Sequence, residues 1–262
     1  MRAWIVVSSL ALLGVACRAP GILLPEGDLL RDVHLRGPGD APAVALTFDD
    51  GPNGRCTADV LDALDAVGAP ATFFVLGANV EGGRSDALLA RMLRAGHTLA
   101  IHSHTHGVRA LFLHDATASE LRAARAAIVA GLRRAGVGVT PRILFFRPPF
   151  GMLTGAAARA AADAGLAIVE WTVSVGDWEV DQDAEAVTAR ILARVRPGDV
   201  IVLHDGAETH QRSLERCTDR PLAAPTVRLL VPALAARGLT VVPLAALLGY
   251  DGSSLTACAA GH

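Results

Sequence analysis

The chain has 262 residues, enough for one large domain with a well-buried core or for two small domains. Its composition, 52% hydrophobic and 19% charged, excludes an intrinsically disordered protein. The formal net charge of -2 comes without a basic stripe or a polybasic run, so neither nucleic acid nor an anionic membrane surface is an expected partner.

The N-terminus has the pattern of an export signal. A positive charge precedes an almost wholly apolar stretch, residues 3–16, which is too short for a comfortable transmembrane helix. Cys17 lies where a bacterial lipoprotein carries its lipidated cysteine. We expect a signal peptide at residues 1–17, a linker at 18–42 and an exported protein. A lipid anchor at Cys17, or an uncleaved N-terminal anchor, is the alternative.

Residues 43–250 predict a single α/β domain, followed by a small polar tail at 251–262. Short apolar runs alternate with Ala-, Leu- and Arg-rich segments of helical period. Such continuously apolar strands between helices are typical of a parallel sheet covered on its outer faces, and about seven units predict a barrel. The predicted strands are 43–48, 71–76, 98–101, 143–146, 167–173, 199–203 and 240–243, and the predicted helices are 57–67, 86–95, 119–135, 155–164, 184–195 and 223–237.

Clusters of polar residues directly follow the carboxyl ends of several predicted strands. In a barrel of parallel strands these ends converge on one rim, where active sites lie. Segments far apart in sequence are therefore expected to share one pocket. The clusters are Thr47–Pro52, His102–His106, Arg147–Gly151, Asp177–Trp178 and Leu203–Asp205.

Asp49 and Asp50 place two like charges side by side at the end of an apolar run, which an ordinary core avoids. His102 and His106 are spaced so that, on a helix, both imidazoles would lie on one face and hold one metal ion. With Asp50 they form a set that leaves a coordination position open for water. Asp49 is then available as the general base. The alternative for the acidic pair is a helix N-cap and a turn acid.

Arg147 precedes two prolines, which stiffen the chain and hold it extended. We expect its planar guanidinium to pair with Asp49 and to fix the orientation of that carboxylate, the alternative being a surface arginine on a rigid loop. Phe150 offers a backbone N–H that the prolines lack, and this group is suited to stabilising an oxyanion.

His204 follows a predicted strand, and histidine titrates near neutrality, which suits a general acid for a leaving amine or alkoxide. We expect Asp177 to orient either His204 or Arg147 by hydrogen bonding. Leu203 and Trp178 are expected to wall a small apolar pocket sized for a methyl group. The alternative for His204 is an ordinary, hydrogen-bonded residue at a strand end.

The four cysteines, at positions 17, 56, 217 and 258, match no zinc-binding spacing. Export would favour a disulfide between two of them. Cys56 follows the acidic pair and Cys217 follows His204, so both are expected on loops at the same end of the fold. A Cys56–Cys217 disulfide is the prediction, and three inert thiols are the alternative.

Taken together, these clusters resemble the motifs of the polysaccharide deacetylase family, the NodB homology domain of carbohydrate esterase family four. The resemblance covers residues 43–250, and the short motifs occur in the family's order. They are Thr47-Phe48-Asp49-Asp50-Gly51-Pro52, His102-Ser103-His104-Thr105-His106, Arg147-Pro148-Pro149-Phe150-Gly151, Asp177-Trp178 as the end of the fourth motif, and Leu203-His204.

The resemblance implies a distorted (β/α)7-type barrel and a divalent metal, zinc first, with Co2+, Mn2+ and Ni2+ as alternatives. It implies removal of N-acetyl groups from N-acetylglucosamine-containing polysaccharide, peptidoglycan or chitin-like, with release of acetate. We expect a monomer. The roles that the resemblance implies are base for Asp49, metal ligand for Asp50, His102 and His106, and general acid for His204, with the third motif lining a groove wall. The predicted catalytic residues are Asp49, His204, Arg147 and Asp177, and the predicted substrate contacts are Pro149, Phe150, Trp178 and Leu203.

The sequence departs from the family's pattern at a few positions. Ser174 stands where an acid is common, three residues before Asp177, which bears on the tuning of His204. Phe150 stands where tyrosine is common, and Thr98 replaces a frequent acid or amide. None of these changes removes a ligand, the base or the acid. Other functions stay open: an O-acetyl esterase acting on xylan, a sugar-binding barrel without turnover, and a structural barrel without a site.

Overall fold

The computed structural model describes residues 32–179, 181–207 and 216–250. The predicted signal peptide with Cys17 and the predicted tail lie outside the described residues. Within the described part, no helix is both long enough and apolar enough to cross a membrane.

A sheet of parallel strands forms the centre of the domain. Its strands are β1 (Val33–His34), β2 (Ala43–Asp49), β3 (Thr72–Val75), β4 (Thr98–Ile101), β5 (Phe145–Phe146), β6 (Ala167–Val169), β7 (Val200–His204) and β8 (Thr240–Val241). The order across the sheet is β1-β6-β5-β4-β3-β2-β7, and β8 pairs with β2.

Helices connect the strands and cover the outside of the sheet. The first of them is capped at its carboxyl end by Gly68, whose positive φ of 63° lets its N–H bond back to the carbonyls of Leu64 and Asp65, as glycine C-caps do. The α-helices among the described residues are α1 (Gly54–Val67), α2 (Asp86–Arg94), α3 (His114–Arg134), α4 (Gly155–Asp163), α5 (Ala184–Leu192), α6 (Ala223–Ala236) and α7 (Leu244–Leu247).

Alternate residues of the strands belong to two separate buried clusters, because successive side chains point to opposite faces of a sheet. This is why the strands are apolar on both faces. The larger cluster, shared with the helices, includes Phe48, Phe73, Ile101, Phe146 and Ile168. The smaller one includes Ala45, Phe74, Ala100, Phe145 and Val169, together with α7.

The sheet curls toward closure beyond β6. The chain leaves β6 after Val169, and Val173 then forms a parallel bridge with Ile201 of β7. The N–H of Val202 donates to the carbonyl of Val173. The predicted barrel of βα units is therefore confirmed as a distorted, (β/α)7-type barrel.

Several element bounds differ from the predictions. The strand predicted at 167–173 ends at Val169, because the chain crosses to β7. Helix α3 begins at His114 instead of residue 119, where Thr117 donates a hydrogen bond to the carbonyl of Leu113. Val33–His34 lies inside the segment predicted as a linker, yet it pairs with β6. A strand of that length carries too few residues to show a period in the sequence.

The predicted disulfide between Cys56 and Cys217 is confirmed. The expectation that both cysteines lie on loops is wrong for Cys56, which lies in the first turn of α1, a few residues after the acidic pair; Cys217 lies between β7 and α6. The bond joins positions 161 residues apart in the sequence. It therefore fixes the chain after β7 against the start of α1, at the end of the barrel where the polar clusters gather.

Candidate active site

The carboxyl ends of the strands surround a cavity of about 290 Å3. The rim placement agrees with the prediction from strand ends, since parallel strands bring their carboxyl termini to one side. The residues that line the cavity are Asp49, Asp50, His102, His106, Phe150, Trp171, Ser174, Trp178, His204 and Arg220.

The acidic pair lies where β2 ends. Asp49 is its last residue and is in register with His204 of β7, which brings these two side chains to the same level of the barrel. Asp50 has a left-handed backbone, with φ of 71°, which costs energy for a residue with a side chain. Its carbonyl accepts a hydrogen bond from Nδ2 of Asn79 at 2.8 Å, which stabilises this turn.

Asp50, His102 and His106 form a set able to hold one metal ion. The Nε2 atoms of His102 and His106 lie 3.4 and 3.3 Å from Oδ1 of Asp50. The ligand atoms all lie within 4.8 Å of one another, and all three residues are buried. Oδ1 of Asp50 has no hydrogen-bond donor among the described residues. A buried carboxylate oxygen facing two imidazole nitrogens is the donor set of a catalytic zinc site, so the residues fit a divalent ion.

The orientation of His102 is fixed from behind. Its Nδ1 donates to the carbonyl of Arg147 at 2.8 Å, so that Nε2 is directed toward Asp50. The backbone of the whole loop is also held, since the carboxylate of Glu120 accepts from the N–H groups of His104 and Thr105.

The prediction that His102 and His106 share a helix face is wrong, although their convergence is as expected. The segment after β4 is a loop, in which Ser103 and His106 have φ of 77° and 61°. The hydroxyl of Ser103 accepts from the N–H of His106 at 3.0 Å and closes this loop. His104 points away, with Nε2 3.3 Å from Oε1 of Glu81. The two imidazoles therefore meet because of left-handed turns, not because of helical periodicity.

The protonation of the ligand set follows from burial and mutual charge. Burial alone would raise the pKa of Asp50, but the close approach and charge of His102, together with the charges of His204 and His106, hold it well below its usual value. Burial, helped by the charge of His102, lowers the pKa of His106 to about 4. Burial would lower the pKa of His102, but the carboxylates of Asp49 and Asp50 raise it. Asp50 and His106 therefore already have the ionised and neutral forms that bind a metal, whereas His102 must release a proton to do so.

Arg147 is fully buried and pairs with Asp49, as predicted; the alternative of a surface arginine is wrong. Its Nη1 lies 2.7 Å from Oδ1 of Asp49 and also donates to the hydroxyl of Thr47 at 2.9 Å. Nε and Nη2 donate to the carbonyls of Val169 and Glu170 at 2.9 and 3.1 Å. These bonds hold the Asp49 carboxylate in one orientation, with Oδ2 on the side of His102.

His204 is held by Asp177, which resolves the choice left open between His204 and Arg147. Nδ1 of His204 lies 2.9 Å from Oδ1 of Asp177, and the backbone N–H of His204 donates to Oδ2 at 2.8 Å. Burial would lower the pKa of His204, but the carboxylate of Asp177, with those of Asp50 and Asp49, raises it to about 9. Nε2 is thereby left to face the cavity as a proton donor.

Two of the predicted substrate-contact residues lie elsewhere. Leu203 is fully buried in the larger cluster, between the sheet and the helices, because strand alternation points it away from His204. Pro149 is buried and does not line the cavity. Phe150 and Trp178 do line it: the ring of Phe150 contacts that of His106 edge-on at 4.5 Å between centroids, and the ring of Trp178 contacts His204 at 4.7 Å.

The structure places two residues at this site that the sequence patterns do not mark. Trp171 and Arg220 line the cavity beside Ser174, and neither has a spaced partner in the sequence. Asp205, at the end of the last polar cluster, is fully buried and accepts a hydrogen bond from the hydroxyl of Thr57. Burial raises its pKa to about 7.

Glu170 is a further buried acid that the sequence did not single out. It is fully buried, and its carboxyl oxygens have no hydrogen-bond partner among the described residues. Burial raises its pKa to about 8, against the opposing charge of Arg147. Burial therefore favours the neutral form of this side chain behind the guanidinium.

A distorted barrel with a buried His/His/Asp set, flanked by a paired carboxylate and a carboxylate-held histidine, defines a hydrolase-type site with a place for a divalent metal. The polysaccharide deacetylase family model matches residues 36–169. The chain belongs to this family and is an enzyme of the deacetylase class, as the motifs predicted.

Known proteins of this kind resemble the chain over most of its length. A chitooligosaccharide deacetylase of Bradyrhizobium sp. (strain ANU 289) is 37% identical over 207 residues, which cover 77% of this chain and 89% of the relative. A chitooligosaccharide deacetylase of Sinorhizobium fredii (strain NBRC 101917 / NGR234) is 37% identical over 215 residues, 82% of this chain and 95% of the relative. The solved Bc1960 peptidoglycan N-acetylglucosamine deacetylase superposes with a TM-score of 0.70 at 26% identity, covering 87% and 99% of the two chains.

Proposed function

We propose that this chain removes N-acetyl groups from N-acetylglucosamine-containing glycans with the help of a divalent metal ion, giving a free amine and acetate. The observation that carries the proposal is the convergence of Asp50, His102 and His106 between Asp49 and His204, in one cavity. The named activities of the relatives, on chitooligosaccharide and on peptidoglycan, support this class of substrate.

The chain's own residues supply proton transfer and orientation. A divalent ion held by Asp50, His102 and His106 would polarise the acetamide carbonyl and lower the pKa of the attacking water. Asp49 takes the proton from that water, because Arg147 holds its carboxylate with Oδ2 toward the ligand set.

His204 returns a proton to the nitrogen that leaves. Its pKa of about 9 keeps it protonated at neutral pH, as a general acid requires. The backbone N–H of Phe150 is suited to donating to the oxyanion, in line with the role expected from the sequence. The exposed faces of Phe150 and Trp178, 52% and 37% exposed, offer apolar surfaces on which a pyranose ring can stack.

Zinc is the metal we propose, because a site of two imidazoles and one carboxylate with room for water matches the catalytic sites zinc forms. Export is also part of the proposal. It is supported by the apolar N-terminal stretch and by the Cys56–Cys217 disulfide, since disulfides persist in oxidising compartments.

The test of the function is acetate release from a panel of acetylated glycans, measured with and without a chelator. We expect release from chitotetraose or from peptidoglycan fragments, loss of release in the chelator, and recovery when Zn2+ is added back. Release from acetylated xylan alone would replace the proposal with an O-acetyl esterase. No release from any glycan by a metal-loaded protein would favour a sugar-binding barrel.

The His106→Ala variant is the control for the metal site. Its buried neighbours Asp50 and His102 remain, so we expect a folded protein that binds less than one ion per chain and releases little acetate. The matched variant His104→Ala changes a histidine of the same loop that points toward Glu81. It is expected to bind metal like the unsubstituted protein.

The Asp177→Asn variant is expected to lose activity at a lower pH than the unsubstituted protein. His204 donates a proton, so activity falls as the pH rises through its pKa in the complex. Removing the Asp177 carboxylate takes away the charge that raises this pKa, and the alkaline limb of the kcat profile should move down by about one unit or more. Acetate release measured across the pH range checks this.

Glu179→Gln is the control for that pH shift. Glu179 lies two residues along the same loop and bonds with Gln182 instead of His204. In this variant the alkaline limb of the kcat profile should stay at the pH found for the unsubstituted protein. If Asp177→Asn leaves the limb unmoved as well, then His204 is not the group whose protonation limits the reaction.

A further inference from the structure

Arg220 lines the active-site cavity, although it belongs neither to the ligand set nor to the proposed base and acid. The backbone around it is anchored twice to the start of α1. Cys217 is bonded to Cys56, and Oδ2 of Asp219 accepts from Nδ2 of Asn53 at 3.2 Å. Nη1 of Arg220 itself donates to the carbonyl of Asp219 at 2.9 Å. The structure therefore holds a guanidinium in the cavity wall by a disulfide and two hydrogen bonds.

The guanidinium of Arg220 has no carboxylate partner among the described residues. The carboxylates that line the cavity are already engaged, Asp49 with Arg147 and Asp50 with the two histidines. Nε of Arg220 is buried and has no acceptor in the described part of the chain. A buried N–H of a charged group without an acceptor is costly, and a ligand that supplies an anionic oxygen would remove that cost.

The same cavity carries two further polar groups that lack partners. Oγ of Ser174 and Nε1 of Trp171 are buried and form no hydrogen bond to any described residue. Ser174 contributes a hydroxyl at a position where the family resemblance leads one to expect an acid. The wall therefore offers a positive charge and two neutral donors that no described acceptor engages, which is a pattern that favours an anionic oxygen.

We propose that Arg220, with Ser174 and Trp171, forms a subsite that binds a carboxylate carried by the glycan at or beside the sugar that loses its acetyl group. This inference rests on the proposed deacetylase function and names a substrate feature for the same site. Two kinds of sugar carry such a group: muramic acid, whose lactyl ether ends in a carboxylate, and a uronic acid. Both present a carboxylate to which a guanidinium can bind with two parallel hydrogen bonds.

The test compares kcat/KM for acetate release from three tetrasaccharides. They are neutral chitotetraose, a muramic acid-containing tetrasaccharide and a hyaluronan tetrasaccharide. The quantity compared is kcat/KM for an anionic glycan divided by kcat/KM for chitotetraose. For at least one anionic glycan, Arg220→Gln should lower this ratio by about 10-fold or more, mainly because KM for that glycan rises. In the unsubstituted protein, added salt should reduce the same ratio, because it screens the charge pair.

Arg228→Gln is the matched control, since Arg228 is an exposed arginine of α6 that lines no part of this cavity. It removes the same charge and should leave the kcat/KM ratio unchanged. The ratio for Arg220→Lys should lie between those for Arg228→Gln and Arg220→Gln. An equal loss on all three glycans, or no loss, would overturn the subsite. Acetate release from chitotetraose but from neither anionic glycan would also overturn it, while the deacetylase function would stand. Failure of the function itself shows instead as no acetate from any of the three.

Discussion

Replacing Asp49 with asparagine is expected to reduce kcat for acetate release by about two to four orders of magnitude while the bound metal stays. The amide cannot take a proton from water, and the ligand atoms of Asp50, His102 and His106 are unchanged. The side chain keeps its size, so Arg147 can still donate to the oxygen of the amide. Metal content per chain, kcat and the thermal unfolding midpoint, measured on one preparation, check the result.

The neighbouring variant Asp50→Asn gives the contrast. It removes the carboxylate whose oxygen lies 3.4 and 3.3 Å from the two imidazoles, so both metal and activity should be lost. The two acids differ in position by one residue and differ in what they contact. If Asp49→Asn loses the metal, or if it retains full turnover, then the division of the pair into base and ligand is incorrect.

Replacing Arg147 with methionine is expected to lower the free energy of unfolding by about 3–5 kcal/mol, because it leaves the buried Asp49 carboxylate without its partner. The carbonyls of Val169 and Glu170 also lose their donors. Acetate release should fall together with stability, since Asp49 is no longer held. Urea unfolding of the disulfide-intact protein measures the first effect and kcat the second.

Arg134→Met is the control for the Arg147 result. Arg134 pairs with Asp86 through two contacts, at 2.8 and 2.9 Å, but its side chain is 46% exposed. Exposed ion pairs contribute little to stability, so the free energy of unfolding should fall by less than about 1 kcal/mol. If the two variants lose similar amounts of unfolding free energy, burial does not make the Arg147–Asp49 pair contribute more to stability than an exposed pair.

Two further variants keep the Arg147 prediction testable if the methionine protein does not fold. Arg147→Lys retains the charge but not the fork of donors, so a smaller loss of stability is expected. The double variant Arg147→Met with Asp49→Asn should lose less than the sum of the single variants, because the two side chains interact directly.

Much of the fold could be predicted because its signals are local. Strands buried on both faces are continuously apolar, and β4, at Thr98–Ile101, has the predicted bounds. The start of α3 differs from the prediction, because it depends on the Thr117 hydroxyl donating to the carbonyls of Ala110 and Leu113. The pairing of Val33–His34 with β6 depends on a distant part of the chain, and no pattern in two residues can indicate it.

The candidate site was predictable as a set of residues but not as a set of contacts. Asp49, Asp50, His102, His106 and His204 line one cavity because they follow parallel strands. The face on which Leu203 lies was misjudged, because a single residue in a strand changes side with the register.

The amino-acid sequence by itself determined the barrel, the acidic pair, the histidine pair and the order of the polar clusters. Strand patterns and motif chemistry depend on residues close together in the sequence, so they can be recognised without the structure. Only the tertiary structure decided that left-handed turns aim His106 at Asp50, and that a disulfide-anchored segment presents Arg220 to the same cavity. These contacts depend on backbone dihedral angles and on packing between segments far apart in the chain, and local residue patterns do not encode either of them.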